Sequence, residues 1–123
     1  HHVIFLGGAN DILQGRRIED ISRDYKRVLE WCEEKQYSLC VVLPFISTEQ
    51  ALNRQLLNLR QEAEHICGGK AFLLDLQPAI GMDAGARFKA YVDGIHPKSQ
   101  TYEAMGSYAA PLIWKWLKNE KEA

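Results

Sequence analysis

The sequence predicts an α/β protein with a parallel β-sheet, because short apolar runs alternate with segments of helical periodicity. The apolar runs fit strands that are buried on both faces, and they cover Val3–Leu6, Ser38–Leu43 and Lys70–Leu76. The segments Ile18–Gln36 and Ser47–Cys67 each carry an apolar stripe opposite a charged face, as amphipathic helices do. Right-handed crossover connections would place these helices on the faces of the sheet.

Local signals indicate where the first four elements end. Gly7-Gly8 permits a tight turn after the first strand, and Pro44 stops the second. Ser47 and Gln50 resemble a capping box that opens the second helix. Gly68-Gly69 is a suitable stop at its C-terminus.

The last third of the chain is expected to be mostly loop and helix. Gln77–Lys98 is predicted as loop, with a short helix around Ala84–Tyr91. Ser99 is expected to cap a final helix, which Pro111 should bend or interrupt. The predicted order is therefore strand, helix, strand, helix, strand, loop and helix.

Composition indicates one ordinary globular domain. The chain has 123 residues, of which 46% are hydrophobic and 25% charged. Its net charge of −1 gives no basic surface for nucleic acid or an anionic membrane. No apolar run approaches the ~20 residues that a membrane span needs, and we expect no secretory leader. Partners among nucleic acids and membranes are thus not expected.

The three cysteines, Cys32, Cys40 and Cys67, are interpreted as buried or half-buried thiols. Their odd number and the lack of CxxC spacing argue against a disulfide framework or a zinc site. Free thiols favour a reducing compartment, and so a cytoplasmic location. His65 and Cys67 do not share a helix face, so they do not indicate a metal pair. No metal or other cofactor is expected.

Two polar blocks should lie at the carboxyl edge of the sheet, where open parallel α/β sheets bind ligands. The first is Gly7-Gly8-Ala9-Asn10-Asp11, directly after the first strand, with an amide donor at Asn10. The second is Asp93-Gly94-Ile95-His96-Pro97, between the third strand and the last helix. Asp93 can accept a hydrogen bond from one ring nitrogen of His96 and leave the other free as a base. Pro97 would rigidify this turn.

These blocks carry a resemblance to a known family. Gly8-x-Asn10-Asp11 after an apolar strand is similar to the third signature block of SGNH (GDSL-like) ester hydrolases. Asp93-x-x-His96-Pro97, followed by a helix that contains Tyr102 and Gly106, looks like their last block. Two strand–helix units separate the blocks, as in the family, and the resemblance covers nearly the whole chain.

The resemblance implies a three-layer α/β/α, flavodoxin-like fold, of which this chain would hold about three of five strands. It implies that His96 is the general base, and that Asp93 orients it. Asn10 would donate to the tetrahedral oxyanion, and Gly8 would keep the turn open. Asp11 would brace the turn, to which Gly7 also belongs. The expected reaction is hydrolysis of a small acyl ester or thioester through an acyl-enzyme.

The sequence departs from the family in one respect, since no Gly-Asp-Ser nucleophile block occurs in it. That block precedes the Gly-x-Asn-Asp block in the family, so we expect the domain of residues 1–123 to be incomplete at its N-terminus.

His1 and His2 are interpreted as native. The Val3–Leu6 strand would then lack a neighbour, and we expect an N-terminal fragment, a second chain or a dimer mate to cover it. The alternative is a non-catalytic SGNH-like binding or scaffold module.

Ser47 is the one serine of the chain that we weigh as a substitute nucleophile. It follows the second predicted strand at the correct edge of the sheet. It lacks the flanking glycines of a nucleophile elbow, and a helix-cap role already explains it. We therefore interpret Ser47 as a cap.

Overall fold

The computed structural model describes residues 1–122, with all side chains except those of Ala9 and residues 120–122. Three strands and six helices lie in this part of the chain. In chain order they are β1 (His2–Leu6), α1 (Ala9–Leu13), α2 (Ile18–Lys35), β2 (Ser38–Val42), α3 (Gln50–Cys67), β3 (Phe72–Leu74), α4 (Gln77–Ile80), α5 (Ala84–Ala90) and α6 (Ser99–Glu122).

The strands form a parallel sheet in the order β1-β2-β3, which confirms the predicted fold class. Leu6 pairs with Val42, and Val42 pairs with Leu74. The carboxyl ends of all three strands therefore meet at one edge of the sheet. Strand β3 has three residues and is shorter than the predicted Lys70–Leu76.

Helices α2 and α3 cover one face of the sheet. Their apolar stripes enclose a core in which Tyr25, Leu56 and Leu59 are almost completely buried. Helices α4 and α6 cover the other face, where Met105 and Trp116 pack on side chains of β2 and β3. Apolar burial on both faces is the main stabilising contribution to such a three-layer fold.

Strand β1 is covered on only one face in the described chain. Val3 and Phe5 pack into the α2–α3 layer, whereas Ile4 and Leu6 on the opposite face are 52% and 63% exposed. The prediction of a strand buried on both faces is thus wrong here, because α4 and α6 pack mainly on β2 and β3. Trp116 of α6 contacts the ring of His2 at a centroid distance of 5.1 Å, but this contact leaves Ile4 and Leu6 exposed.

Several predicted helix ends also differ. Helix α3 begins at Gln50 with Glu49 as its N-cap, so the capping box of Ser47 and Gln50 does not form. Instead the Ser47 hydroxyl accepts a hydrogen bond from the Glu49 amide at 3.1 Å, two residues on. Ser99 is the first residue of α6, and the preceding Lys98 carbonyl accepts hydrogen bonds from the helix.

Pro111 does not interrupt α6, which runs unbroken from Ser99 to Glu122. A proline removes one helical hydrogen bond and crowds the carbonyl four residues earlier. Pro111 and Ser107 are both exposed, so water can reach that carbonyl, which lowers the cost. The short helix α4 lies in a segment that was predicted as loop, and the short helix α1 was not predicted.

The three cysteines are free and buried, and burial raises the pKa of each thiol, that of Cys40 to about 11. Buried neutral thiols of this kind act as small apolar side chains. None of the described helices is both long and apolar enough to cross a lipid bilayer.

Gly8 sits where the chain turns from β1 into α1. Its φ of +117° lies in a region that side chains rarely adopt, and a Cβ there would stand 2.5 Å from Leu59 Cδ2. Gly15 has a φ of +84° but open space where its Cβ would lie. The two glycines therefore separate backbone strain from steric overlap.

We predict that Gly8→Ala lowers the free energy of unfolding by roughly 2–5 kcal/mol, the sum of left-handed strain and overpacking. Gly15→Ala, which meets only the strain, should cost roughly 1–2 kcal/mol. Urea denaturation of both variants measures the difference. Equal losses would show that Leu59 moves aside without cost.

Candidate active site

Asp93 and His96 form a hydrogen-bonded pair in the exposed loop between α5 and α6. Asp93 Oδ2 lies 2.7 Å from His96 Nδ1. Asp93 Oδ1 accepts hydrogen bonds from the backbone N–H groups of Ile95 and His96, at 2.9 and 2.7 Å. One carboxylate thus folds the turn with one oxygen and orients the imidazole with the other.

The electrostatics of Asp93 follow from these contacts. Its pKa is lowered well below the ordinary range, first by the His96 backbone N–H, then by the His96 side chain and the Ile95 N–H. All three donate to the charged form of the carboxyl and so favour it. The Asp93 and His96 side chains are 51% and 67% exposed. An ionised Asp93 selects the neutral imidazole tautomer with its proton on Nδ1.

The base of this loop is closed by a short antiparallel bridge between Tyr91 and Pro97. The Val92 N–H donates to the His96 carbonyl at 2.8 Å, and Pro97 is buried. Tyr91 is buried as well, and its hydroxyl donates to the Ile46 carbonyl at 2.7 Å. Burial raises the pKa of Tyr91 to about 12, so it remains a neutral donor at physiological pH.

The first polar block forms the turn into α1. The Gly8 N–H donates to Asp11 Oδ2 at 3.2 Å, and Asp11 also accepts from Arg16 at 3.0 Å. The Gly7 carbonyl accepts from the Tyr25 hydroxyl at 3.4 Å. Asn10 is the second residue of α1 and is exposed. Asn10 thus lies just beyond the carboxyl end of β1, with its side chain open to solvent.

The loop between β2 and α3 lies between the two polar blocks. Pro44 Cγ is 3.7 Å from the position of a Cβ on Gly8. Four residues further, Thr48 donates to the Gly94 carbonyl from its N–H and its hydroxyl, both at 3.1 Å. The structure thus brings Asp93 and His96 into contact and holds both blocks against one loop, whereas no described hydrogen bond joins Asn10 to the pair.

Ser47 lies in this loop and is 3% exposed. Its hydroxyl donates to Asn53 Oδ1 at 3.1 Å, and its backbone N–H and carbonyl also bind the Asn53 amide. A buried hydroxyl with its donor and acceptor functions both engaged is poorly suited to attack a substrate. Its structural role is to anchor the loop to α3.

A further polar cluster under the same edge was missed in the sequence. Arg60 of α3 forms a bidentate pair with Asp75, which follows β3, at 3.1 and 2.5 Å. Burial opposes the charge on Asp75, but the hydrogen bonds from Arg60 and the Gln77 N–H outweigh it and lower its pKa. Gln77 in turn accepts from the Ile46 N–H at 2.9 Å. In the sequence, Asp75 falls inside the predicted strand Lys70–Leu76 and Gln77 directly follows it, so the position of Asp75 beyond the strand became visible only when β3 ended at Leu74.

Two cavities lie away from the candidate site. One of about 470 Å³ opens at the amino edge of the sheet, beside Tyr37, Lys70 and Trp116. The other, of about 430 Å³, lies between α2 and α3 beside Glu30, Glu62 and His65. Within the described residues, no cluster of histidine, cysteine and acidic side chains has the arrangement of a metal site.

No protein-family model and no curated protein matches the sequence. Solved structures do match the fold. A protein from Streptococcus pneumoniae, provisionally described as a platelet activating factor, aligns with a TM-score of 0.77 and 15% identity, over 91% of this chain and 59% of that chain. A GDSL-like lipase from Bacteroides thetaiotaomicron aligns with a TM-score of 0.77 and 17% identity, over 92% of this chain and 62% of that one.

A G-D-S-L family protein from Desulfitobacterium hafniense, provisionally described as lipolytic, aligns with a TM-score of 0.75 and 20% identity. The alignment covers 89% of this chain and 63% of that chain. The chain thus spans about six-tenths of the length of these three proteins. At such identities the similarity defines the fold, and the chain has the α/β fold of GDSL-type (SGNH) hydrolases.

We predict that the Asp93 carboxyl titrates well below the ordinary aspartate pKa of about 3.9. In His96→Ala its pKa should rise only partway, because the backbone N–H groups of residues 95 and 96 still donate to it. Carbon-13 NMR of the side-chain carboxyl measures both values.

The lowered pKa of the Asp93 carboxyl makes the stability of the fold depend on pH. Asp93 contributes stability above the unfolded-state pKa near 3.9, and this contribution is lost as the pH falls through the folded-state pKa. An ordinary pKa for Asp93 in the unaltered protein would contradict the geometry.

Proposed function

We propose that this chain supplies the general base, its orienting carboxylate and an oxyanion donor to a serine ester hydrolase of the SGNH type. The observation that carries the proposal is the 2.7 Å contact between Asp93 Oδ2 and His96 Nδ1, in a loop held at the carboxyl edge of a GDSL-type sheet. No described residue bonds His96 Nε2, and the side chain is largely exposed. That nitrogen is therefore free to accept the proton of a nucleophilic hydroxyl group.

The proposed reaction passes through an acyl-enzyme. His96 Nε2 removes the proton of a serine hydroxyl while the oxygen attacks the ester carbonyl. The charged imidazolium is stabilised by Asp93, which stays ionised because its oxygens accept three hydrogen bonds. His96 then gives the proton to the departing alcohol, or to the thiol of a thioester. A water molecule, deprotonated by the same nitrogen, hydrolyses the acyl-serine.

Asn10 is proposed to donate its side-chain amide to the tetrahedral oxyanion. Its position near the start of α1, directly beyond β1, supports this role, because that edge of the sheet also carries the β2–α3 loop that binds Gly94. One preorganised donor of this kind lowers the barrier by about 3–4 kcal/mol.

We propose that the serine lies on polypeptide outside residues 1–123, supplied by an N-terminal segment, a second chain or a dimer mate. Two observations support this. The structural neighbours extend well beyond the aligned region, and β1 presents Ile4 and Leu6 uncovered beside an unpaired strand edge. A strand on β1 and a helix over Ile4 and Leu6 would bury both and add a further loop to the carboxyl edge.

We predict that His96→Ala lowers the rate of p-nitrophenyl acetate hydrolysis by roughly 10²–10⁴-fold in protein expressed from its complete natural coding sequence. His65→Ala is the matched control, since His65 is an exposed histidine on α3 outside both polar blocks. It should retain full activity. Equal activity of the His96 variant and the unaltered protein would refute the catalytic role, and no hydrolysis by either would favour the scaffold alternative.

A further inference from the structure

The Asp93–His96 turn has few contacts of its own with the sheet, because both side chains are exposed. Its internal hydrogen bonds fix the two side chains relative to each other. They do not fix where the pair stands relative to the carboxyl edge. The Tyr91–Pro97 bridge holds the base of the turn, and the backbone between the two residues needs a separate contact to fix its position.

Thr48 provides this contact. Its backbone N–H and its hydroxyl both donate to the Gly94 carbonyl, each at 3.1 Å. Gly94 has a φ of +86°, and a Cβ on it would stand 2.6 Å from Thr48 Oγ1. The close approach therefore requires glycine. The held carbonyl belongs to the residue that directly follows Asp93 and precedes Ile95, whose N–H binds Asp93.

The loop that carries Thr48 is itself anchored at several points. Asn53 of α3 binds the backbone of Ser47 at 2.7 and 2.8 Å. The Ser47 carbonyl also accepts from Arg87 Nε at 3.2 Å, and the Ile46 N–H donates to Gln77 at 2.9 Å. Thr48 thus connects the exposed turn to a loop that side chains of α3, α4 and α5 hold in place.

We infer that Thr48 is a positioning residue that sets where the Asp93–His96 pair stands by holding the Gly94 carbonyl. The kinetic consequence rests on the proposed ester hydrolysis, whereas the structural consequence does not. Loss of the Thr48 hydroxyl leaves one donor to that carbonyl, so the turn gains freedom. His96 Nε2 then spends less time where the serine oxygen can use it, which lowers kcat more than it raises KM.

Thr48→Val removes the hydroxyl with little change in volume, and Thr48→Ser keeps it. We expect Thr48→Val to lower kcat on p-nitrophenyl acetate about 10-fold with KM nearly unchanged, and Thr48→Ser to keep most of the activity. The control for a general loss of stability is Cys32→Ala, because Cys32 is buried in α2, outside both polar blocks and the loops that contact them. It should lower thermal stability without the same loss of kcat.

A second readout does not need activity. Nitrogen-15 NMR relaxation reports the amplitude of backbone motion at each N–H group. The order parameters of the Gly94, Ile95 and His96 N–H groups should fall in Thr48→Val and stay unchanged in Thr48→Ser, because only Thr48→Val loses the second donor to the Gly94 carbonyl. If Thr48→Val does not fold, Thr48→Ala provides the same comparison.

The outcomes separate the two proposals. An inactive parent protein with the expected fall of the order parameters in Thr48→Val would refute the proposed function and support the positioning role. An active parent with unchanged kcat and unchanged order parameters in Thr48→Val would overturn the positioning role alone. An equal fall of kcat in Cys32→Ala would also overturn it, since general loss of stability would then explain the effect.

Discussion

Parallel pairing of the three strands is the constraint on which the site depends. Because Leu6, Val42 and Leu74 align across the sheet, the chain leaves every strand at the same edge. The turn into α1, the β2–α3 loop and the Asp75–Gln77 segment are therefore neighbours, although they are far apart in sequence. The Asp93–His96 turn is closed at its base by the Tyr91–Pro97 bridge, and the β2–α3 loop holds the backbone between Asp93 and His96 at Thr48.

At this edge of the sheet, carboxylates are kept ionised by hydrogen bonds in two different ways, one at Asp93 and one at the Arg60–Asp75 pair. Asp93 is exposed and keeps its charge through hydrogen bonds from its own turn. Arg60 and Asp75 are partly buried and compensate each other's charge, and they link α3 to the end of β3. The first arrangement leaves an imidazole nitrogen open for chemistry. The second holds the β2–α3 loop, whose Pro44 carbonyl also accepts from Arg60 at 3.3 Å.

Periodicity predicted the fold class because the strands and long helices bury their apolar positions in a regular pattern. It predicted burial of both faces of β1 wrongly, since an apolar pattern reports what a strand can bury and not what covers it in the described chain. Ser47 was misassigned for a related reason. Capping depends on where a helix starts, and α3 starts at Gln50 with Glu49 as its N-cap. The Ser47 hydroxyl therefore accepts from the Glu49 N–H before the helix begins.

The candidate site was predictable to the extent that it is local in sequence. Asp93 and His96 are three residues apart, so their contact follows from one turn. The need for glycine at position 94 could not be predicted from the sequence, because it arises from the close approach of the Thr48 side chain, which lies 46 residues earlier. Likewise Arg60 could be paired with Asp75 only once α3 was known to pass beside the end of β3.

The central claim is that Asp93 and His96 activate a serine that is not among residues 1–123. Labelling with a fluorophosphonate, followed by peptide mass spectrometry, tests it most directly in protein expressed from its complete natural coding sequence. The account predicts one labelled serine outside these residues, with labelling strongly reduced in His96→Ala. A label on Ser47 or another serine of this chain, or labelling that does not depend on His96, would contradict it.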